Sequence, residues 1–309
     1  MTEPVLLQRR ILVIKHGALG DFVLATGPMR AIRAHHLADH VVLLTTPPFV
    51  ELATASCLFD KIWIDTRPGV LQVGTWLRLS RRLRGGGFHR VYDLQTSERS
   101  SLYFRFFATP KPEWSGIAPG ASHRHGNPDR IRMHTVDRQS EQLRIAGILH
   151  APHPDLSWAV ADIRKFPLIQ PYGLLAPGGS THRTPKRWPP ERFADLSMQL
   201  LTKGIQPVAV GSSVDSEAAR PMVEAGALDL TGRTSLLELA EVAREADVAV
   251  GNDTGPMHIA ATVGCRVVVL FSAASDPTLC APRGDVRIMC CGDLAALPVH
   301  EVAKSALEG

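Results

Sequence analysis

Long apolar runs are missing from this chain. No stretch of about 18 uncharged apolar residues occurs among its 309 residues, which argues against a membrane-spanning helix. The first residues contain an early acidic side chain and no apolar core ahead of a small-residue cleavage site, which argues against a secretory signal. We therefore expect a cytoplasmic protein.

Cysteine is also scarce. The five cysteines are odd in number and form no C-x-x-C pair, so their spacing supports neither a disulfide framework nor a cysteine metal site. His123 and His125 are residues of the kind that bind metals, but no third ligand follows at a suitable spacing. An acidic D-x-D cluster is missing as well. We predict no metal and no cofactor.

Two common nucleotide-binding patterns are absent. The chain contains neither G-x-G-x-x-G nor G-x-x-x-x-G-K-[ST], which disfavours a hydride-transfer enzyme and a P-loop protein. The net charge of +4 is too small for a nucleic-acid footprint but fits an anionic substrate or a membrane surface. The 45% hydrophobic and 21% charged residues are typical of a globular protein, and the length favours two domains.

Apolar runs alternate with helical patterns along the whole chain. Such an alternation predicts an α/β fold built from doubly wound parallel sheets. Strands are predicted at 10–15, 41–44, 61–64, 91–94, 172–176, 206–210, 248–250 and 265–271. The proline-rich stretch 151–171 should contain the linker, so we divide the chain into domains 1–160 and 161–309. The sequence leaves open whether the final helix packs back on the first domain.

The stretch 248–261, VAVGNDTGPMHIAA, passes from a buried strand through a turn into a helix. Asn252, Asp253 and Thr254 can each cap a helix, and Gly255 lets the backbone approach a ligand closely. Pro256 suits the first helical turn, which continues through His258. Because free N–H groups at a helix start attract anions, we expect this turn to hold a phosphate. An ordinary capped turn is the alternative.

A second turn of the same kind follows the strand at 172–176. Pro177, Gly178, Gly179, Ser180 and Thr181 offer backbone donors, and the cations that follow can reach phosphate oxygens. Those cations are Arg183, Lys186 and Arg187.

Further along the chain, Ser212 and Ser213 precede Asp215 and Glu217 at the head of another helix. Such an acidic residue either binds ribose hydroxyls or caps the helix, and the sequence does not decide between the two.

Near the N-terminus, a strand runs into a loop containing Gly17 and Gly20, and Asp21 lies at the start of the next helix. Phe22, Ala25 and later apolar residues recur at helical spacing, which predicts one continuous helix. Asp21 is either a capping carboxylate or a general base at the carboxyl edge of the sheet. Both roles need the same position, so the sequence does not separate them.

Three segments of the first half have simpler interpretations. The arginines at 78–84 favour a solvated basic face over contact with an anionic lipid surface. The aromatic residues at 99–114 favour a buried core over an acceptor-binding or membrane patch. The polar stretch 123–129 is expected to be a mobile loop.

Four segments taken together resemble the ADP-heptose:lipopolysaccharide heptosyltransferases, the inverting glycosyltransferase family nine. They are ILVIKHGALGDFVLATGPMRAIR, APGGSTHRTPKRWPPERF, VAVGSSVDSEAA and VGNDTGPMHIAATVG, in the family's order. The resemblance implies a GT-B architecture, two Rossmann-like domains facing a cleft, with the acceptor held by the first and the nucleotide sugar by the second. It implies transfer of a heptose, from ADP-heptose, to a lipopolysaccharide core sugar or related glycan, without a metal.

The resemblance also implies roles for single residues. Asp21 is similar to the family's catalytic base, with Gly20 beside it on the acceptor side, and Lys186 is similar to the cation on the donor phosphates. The other implied donor or phosphate contacts are Gly178, Ser180, Thr181, Asp253, Thr254, Gly255, Pro256 and His258, and the ribose or base candidates are Ser212, Glu217 and Thr234.

The expected partners are a nucleotide sugar and a glycan acceptor, with no nucleic acid; peripheral contact with the inner membrane is left open. Three alternatives stay open: a different nucleotide sugar, an epimerase, or an inactive nucleotide-sugar-binding protein.

Overall fold

The computed structural model describes residues 8–179 and 187–308. The chain forms two compact units. The first contains Met1–Gly17 and Ala25–His153, and the second contains Ala18–Leu24 and Pro154–Gly309. The second unit resumes at Pro154, which lies within the proline-rich stretch 151–171. A short segment from near the N-terminus, Ala18–Leu24, also belongs to the second unit, although it lies in the first half of the sequence.

The first unit contains a six-stranded parallel sheet. Its strands are β1 Arg10–Ile14, β2 His40–Thr45, β3 Lys61–Ile64, β4 Phe88–Asp93, β5 Glu113–Gly116 and β6 His123–Arg124, in the spatial order β3-β2-β1-β4-β5-β6. Its helices are α2 Thr26–His35, α3 Val50–Ala55, α4 Val73–Arg84, α5 Glu98–Tyr103 and α6 Thr135–Ile145; the preceding helix, α1 Leu19–Leu24, lies in the second unit. Strands β1 and β2 are apolar and almost entirely buried on both faces, as expected for a sheet covered by helices on both sides.

The second unit repeats this plan. Its strands are β7 Tyr172–Ala176, β8 Gln206–Ala209, β9 Leu228–Asp229, β10 Val248–Asn252, β11 Val267–Phe271 and β12 Val286–Cys290, all parallel, in the order β12-β11-β10-β7-β8-β9. Its later helices are α7 Pro190–Thr202, α8 Ser216–Glu224, α9 Leu236–Arg244, α10 Gly255–Thr262, α11 Pro277–Cys280 and α12 Val299–Leu307. The sequence left open whether the final helix, α12, packs back on the first domain. It packs in the core of the second unit, with Trp188 and Leu196.

Both sheets therefore have the same doubly wound strand order, which confirms the predicted α/β class. In each sheet the order reverses between two neighbouring strands, β1 and β4 in the first and β7 and β10 in the second. Ligands of open parallel sheets bind beyond the carboxyl ends of the strands at such a reversal.

The structure differs from the sequence-based expectation at several elements. The predicted continuous helix is interrupted at Ala25, between α1 and α2, because Pro28 has no N–H to bond with the Leu24 carbonyl. Strands β5, β6, β9 and β12 were not predicted, since two are only two residues long and none forms a long apolar run. The segment 123–129, predicted to be a mobile loop, contains β6 and the buried His125. Within the described residues, no helix combines the length and apolarity needed to cross a bilayer.

Candidate functional site

The strand-order reversal in the second unit brings two loops together. The Asn252 side chain, fully buried at the end of β10, donates hydrogen bonds to the carbonyls of Pro177 (2.8 Å) and Gly178 (3.2 Å), which follow β7. Its carbonyl oxygen accepts a hydrogen bond from the Trp188 N–H at 2.8 Å. One buried amide thus fixes the two turns that the sequence predicted to bind phosphate.

Helix α10 begins at this junction. Thr254 is its N-cap residue, in extended conformation, and its side chain makes no cap hydrogen bond, while Pro256 occupies the first turn. The positive end of the helix is therefore not neutralised by the Thr254 side chain. The neighbouring Asp253 carboxylate accepts a hydrogen bond from the Ser275 hydroxyl at 2.6 Å, which fixes its orientation.

A cavity of about 920 Å³ lies at this point of the second unit. Its volume is in the range of pockets that hold a nucleotide-sized ligand. The predicted site residues that line it are Gly20, Asp21, Ser212, Thr234, Asp253, Thr254, Gly255, Pro256 and His258. The structure thus gathers most of the described candidates around one cavity.

Helix α1 reaches this cavity because two glycines allow it to pack closely on α10. A Cβ atom on Gly20 would lie 2.6 Å from Cδ2 of His258, and one on Gly255 would lie 2.7 Å from the Leu19 side chain. Both distances are shorter than real Cβ contacts. The close packing places the half-buried Asp21, in the first turn of α1, on the same cavity as the start of α10.

A cation also lies near the loop that follows β7. The Arg187 guanidinium donates a hydrogen bond to the Gly179 carbonyl at 2.7 Å, and Gly179 lines the cavity. Arg187 is one of the three cations after β7 that the sequence predicted to reach phosphate oxygens. Ser180, Thr181, Arg183 and Lys186 lie outside the described residues, so their predicted contacts stay predictions.

The ribose candidates divide into two groups. Ser212 and Thr234 line the cavity, but the Glu217 side chain is 78% exposed, pairs with Arg220 at 3.0 Å and is not part of the lining. Asp215 lines the cavity instead, because it forms the 3₁₀ turn 213–215 that precedes α8. Of the two acidic residues that the sequence offered at this helix start, Asp215 lines the cavity and Glu217 does not.

Asp215 also has a structural role. Its carboxylate accepts hydrogen bonds from the Ser212 N–H (2.9 Å) and the Ser212 hydroxyl (2.7 Å), and a Cβ on Gly178 would lie 2.3 Å from it. The capping role that the sequence left open is thus present, and Gly178 serves to make room for this carboxylate. Gly178 itself is not among the lining residues.

Apolar residues that were not selected from the sequence also line the cavity. Leu19, Leu24, Val214, Leu236 and Leu239 line it, together with Cys280. Such residues are indistinguishable from core positions in a sequence, so no local signal marks them. They offer an apolar surface of the kind that a flat aromatic ring can pack against.

A second polar cluster lies at the strand-order reversal of the first unit. The Asp65 carboxylate is 3.1 Å from Nε2 of His16, accepts a hydrogen bond from the Tyr103 hydroxyl at 2.5 Å, and is nearly fully buried. Burial opposes ionisation, but the hydrogen bonds from His16 and Tyr103 outweigh it and lower the pKa of Asp65. At the end of β4, complete burial raises the pKa of Asp93 to about 6.

Comparison with known proteins identifies the family. The family model described as Glycosyltransferase family 9 (heptosyltransferase) matches residues 76–307, a range that includes the 253–255 turn and starts after Asp21. Lipopolysaccharide heptosyltransferase 2 of Escherichia coli K12 is 24% identical over 298 residues, covering 86% of this chain and 83% of that protein.

Solved structures agree with this assignment at the level of the fold. E. coli ADP-heptose lps heptosyltransferase II has a TM-score of 0.78 at 21% identity, covering 96% of this chain and 97% of that one. A family 9 glycosyl transferase from Veillonella parvula has a TM-score of 0.83 at 20% identity, with 96% and 95% coverage. With the two doubly wound sheets, these likenesses confirm the predicted GT-B class.

Proposed function

The chain belongs to glycosyltransferase family 9, and we propose that it transfers a heptose from ADP-heptose to a sugar of a lipopolysaccharide core precursor in the cytoplasm. The family description and the names of the relatives support the heptose and the acceptor class. The name of one solved relative includes ADP-heptose, which supports this donor. The observation that carries the proposal is the packing of α1 on α10, which puts a carboxylate and a helix N-terminus on one cavity.

The donor diphosphate is proposed to lie at the start of α10. There the N-terminal end of the helix, which Thr254 leaves without a side-chain cap, offers positive charge to the phosphate oxygens. Arg187, held near the loop that follows β7, adds a cation, and Lys186 is proposed as the amine that reaches the same oxygens. These groups oppose the negative charge that develops on the departing diphosphate. The proposal requires no metal and no cofactor.

Asp21 is proposed to act as the general base. The acceptor hydroxyl oxygen forms a bond to the anomeric carbon while the bond from that carbon to the diphosphate oxygen breaks. The hydroxyl proton passes to the Asp21 carboxylate, and the diphosphate leaves with the electron pair. Proton removal by a positioned base contributes about 10² to 10⁴ in rate. A single displacement inverts the anomeric centre.

The nucleoside is proposed to occupy the part of the cavity between the turn after β8 and the start of α9. Leu236 and Leu239 provide an apolar wall for the base, and the Thr234 hydroxyl is a polar partner beside them. Asp215 replaces Glu217 as the candidate for the ribose hydroxyls, because it lines the cavity and Glu217 does not.

A donor screen tests this function. ADP-, GDP- and UDP-linked sugars are incubated with the protein, with and without a deacylated lipopolysaccharide core oligosaccharide, and the products are analysed by mass spectrometry. We expect ADP release and an acceptor heavier by one heptose, only when both substrates are present. Rearrangement of the donor without acceptor would indicate an epimerase, and binding without turnover would indicate an inactive binding protein; either result contradicts the proposal.

A further inference from the structure

An exposed apolar tip extends from the first unit. It consists of Val70 and Leu71 in the loop after β3, together with Val73 and Leu77 on helix α4. Val70 is 85% exposed and Leu71 is 91% exposed. Single exposed apolar residues are common, but four exposed aliphatic side chains within eight consecutive residues mark a surface that contacts something apolar.

Hydrogen bonds hold this loop in its shape. The Arg99 guanidinium donates to the Pro68 carbonyl at 3.0 Å, and the Trp76 indole N–H donates to the Gly69 carbonyl at 3.1 Å. The Gly69 N–H donates in turn to the Gln72 side chain at 3.0 Å. Because Pro68 is bonded to Arg99 of α5 and Gly69 to Trp76 of α4, the loop that carries Val70 and Leu71 has a defined conformation.

Positive charge is concentrated next to the tip. From Thr66 to Phe88 the chain contains five arginines and no acidic residue, while the whole chain carries only +4. Within α4, Val73, Leu77, Arg81 and Arg84 follow one another at spacings of four, four and three, so they lie on one face of the helix. Leu79 and Leu83 face the core. The outer face of α4 therefore passes from apolar to cationic along its length.

Part of this charge has a structural explanation. Arginines in the last turn of a helix complement its dipole; in addition, Arg82 stacks on Trp63 at 4.2 Å and Arg84 donates to the Phe106 carbonyl at 3.3 Å. Neither the helix dipole nor these contacts account for the exposed aliphatic residues at the N-terminal end of α4.

A groove beside α4 continues the surface. Its volume is about 460 Å³, and it is lined by Trp76, Leu102, Arg99 and Arg105, with Glu98 as its acidic member. Two further cations thus lie in a groove that Trp76 of α4 also lines.

We propose that this surface docks on an anionic phospholipid bilayer, with Val70, Leu71, Val73 and Leu77 in the headgroup region and the nearby arginines on lipid phosphates. Aliphatic side chains combined with arginines are what such an interface binds. A second copy of the chain fits poorly, because a two-fold interface would bring the same arginines face to face. Nucleic acid fits poorly too, since its charged phosphate backbone offers no apolar surface for the aliphatic tip.

Vesicle binding of the full chain tests the proposal. Wild-type protein is sedimented with vesicles of phosphatidylethanolamine and phosphatidylglycerol, and with vesicles of phosphatidylcholine alone. We expect binding to the anionic vesicles only, weakened by salt. Substituting Val70→Ser and Leu71→Ser together should lower the partition coefficient roughly tenfold. Substituting Arg78→Gln and Arg81→Gln together should lower it about fivefold for each arginine removed.

Matched variants control for non-specific effects. Leu149→Ser with Val160→Ser removes aliphatic residues that are 70% and 63% exposed elsewhere, and Arg220→Gln with Arg233→Gln removes two exposed arginines of the second unit. Both controls should bind vesicles like wild type, and all variants should keep the wild-type thermal unfolding midpoint. Equal binding of wild type to both vesicle types, or undiminished binding by the Val70→Ser, Leu71→Ser variant, would overturn the proposal. A dimer in light scattering that this variant dissociates would instead make the surface a self-association interface.

Discussion

At the scale of single residues, the proposed chemistry depends on the carboxylate of Asp21. It is half buried in the first turn of α1 and faces the cavity that also contains the start of α10. From the sequence, a cap and a base were indistinguishable, because both require a carboxylate at a helix start. The structure adds the cavity and the neighbouring turn, neither of which is encoded in the residues next to Asp21.

We expect Asp21→Asn to lower kcat for sugar transfer by about 10² to 10⁴, because the amide keeps the shape of the side chain but cannot accept the proton. The dissociation constant for ADP, measured by calorimetry, should stay near the wild-type value. Asp195→Asn on the exposed side of α7 is the matched control and should leave both quantities unchanged. Wild-type kcat in the Asp21→Asn variant would exclude Asp21 as the base.

Asp93 provides a test in the first unit that is independent of catalysis. Its pKa is about 6 in the folded chain against 3.8 for the unfolded chain, because burial disfavours the charged form. The folded state therefore binds the proton more tightly, and this group's contribution to stability is greatest below pH 3.8 and is lost as the pH rises to about 6. The loss amounts to about 3 kcal/mol.

Asp93→Asn should remove this pH dependence. The free energy of unfolding, measured with urea at several pH values, should rise relative to wild type by about 2 kcal/mol between pH 4 and pH 7. The Asn oxygen can still accept the hydrogen bonds that Asp93 receives from the Gln95 and Thr96 N–H groups. A constant difference between the two proteins over that range would contradict the assigned pKa.

At the scale of elements, the packing of α1 on α10 forms the site. Helix α10 and the turn before it were predictable, since a strand, a set of capping residues and a proline occur in a fixed order. The partner of α10 was not predictable, because the close fit of Gly20 and Gly255 involves residues more than 200 positions apart in the chain. The short strands β6 and β9 were missed for a related reason, as two-residue edge strands carry no apolar pattern.

Replacing either glycine by alanine should separate the two helices. In Gly255→Ala the new methyl group would meet Leu19, and we expect a loss of about 1 to 3 kcal/mol in stability together with weaker ADP binding. Gly20→Ala, which would meet His258, should behave similarly. Gly74→Ala in helix α4 has open space around it and should stabilise the chain by about 0.5 to 1 kcal/mol without affecting ADP binding. Unchanged ADP binding in both cavity variants would show that the close packing is not needed for the site.

At the scale of the whole molecule, the alternation of strands and helices was enough to predict two doubly wound sheets. It did not predict that Ala18–Leu24 would group with the second unit, because that grouping depends on long-range packing. The sequence also did not predict which side chains around a turn would line the cavity: Asp215 does so, whereas Glu217, two residues later, is exposed. Ser180, Thr181 and Lys186 stay candidates on the strength of the resemblance alone.

The central claim is that one displacement joins the acceptor to the sugar while the diphosphate leaves. The most direct test is the anomeric configuration of the glycan product, determined by NMR after reaction of ADP-heptose with a deacylated core acceptor. The account predicts a single linkage whose configuration is opposite to that of the donor, formed with one ADP per heptose transferred. A product with the donor's own configuration would require two displacements and would contradict it.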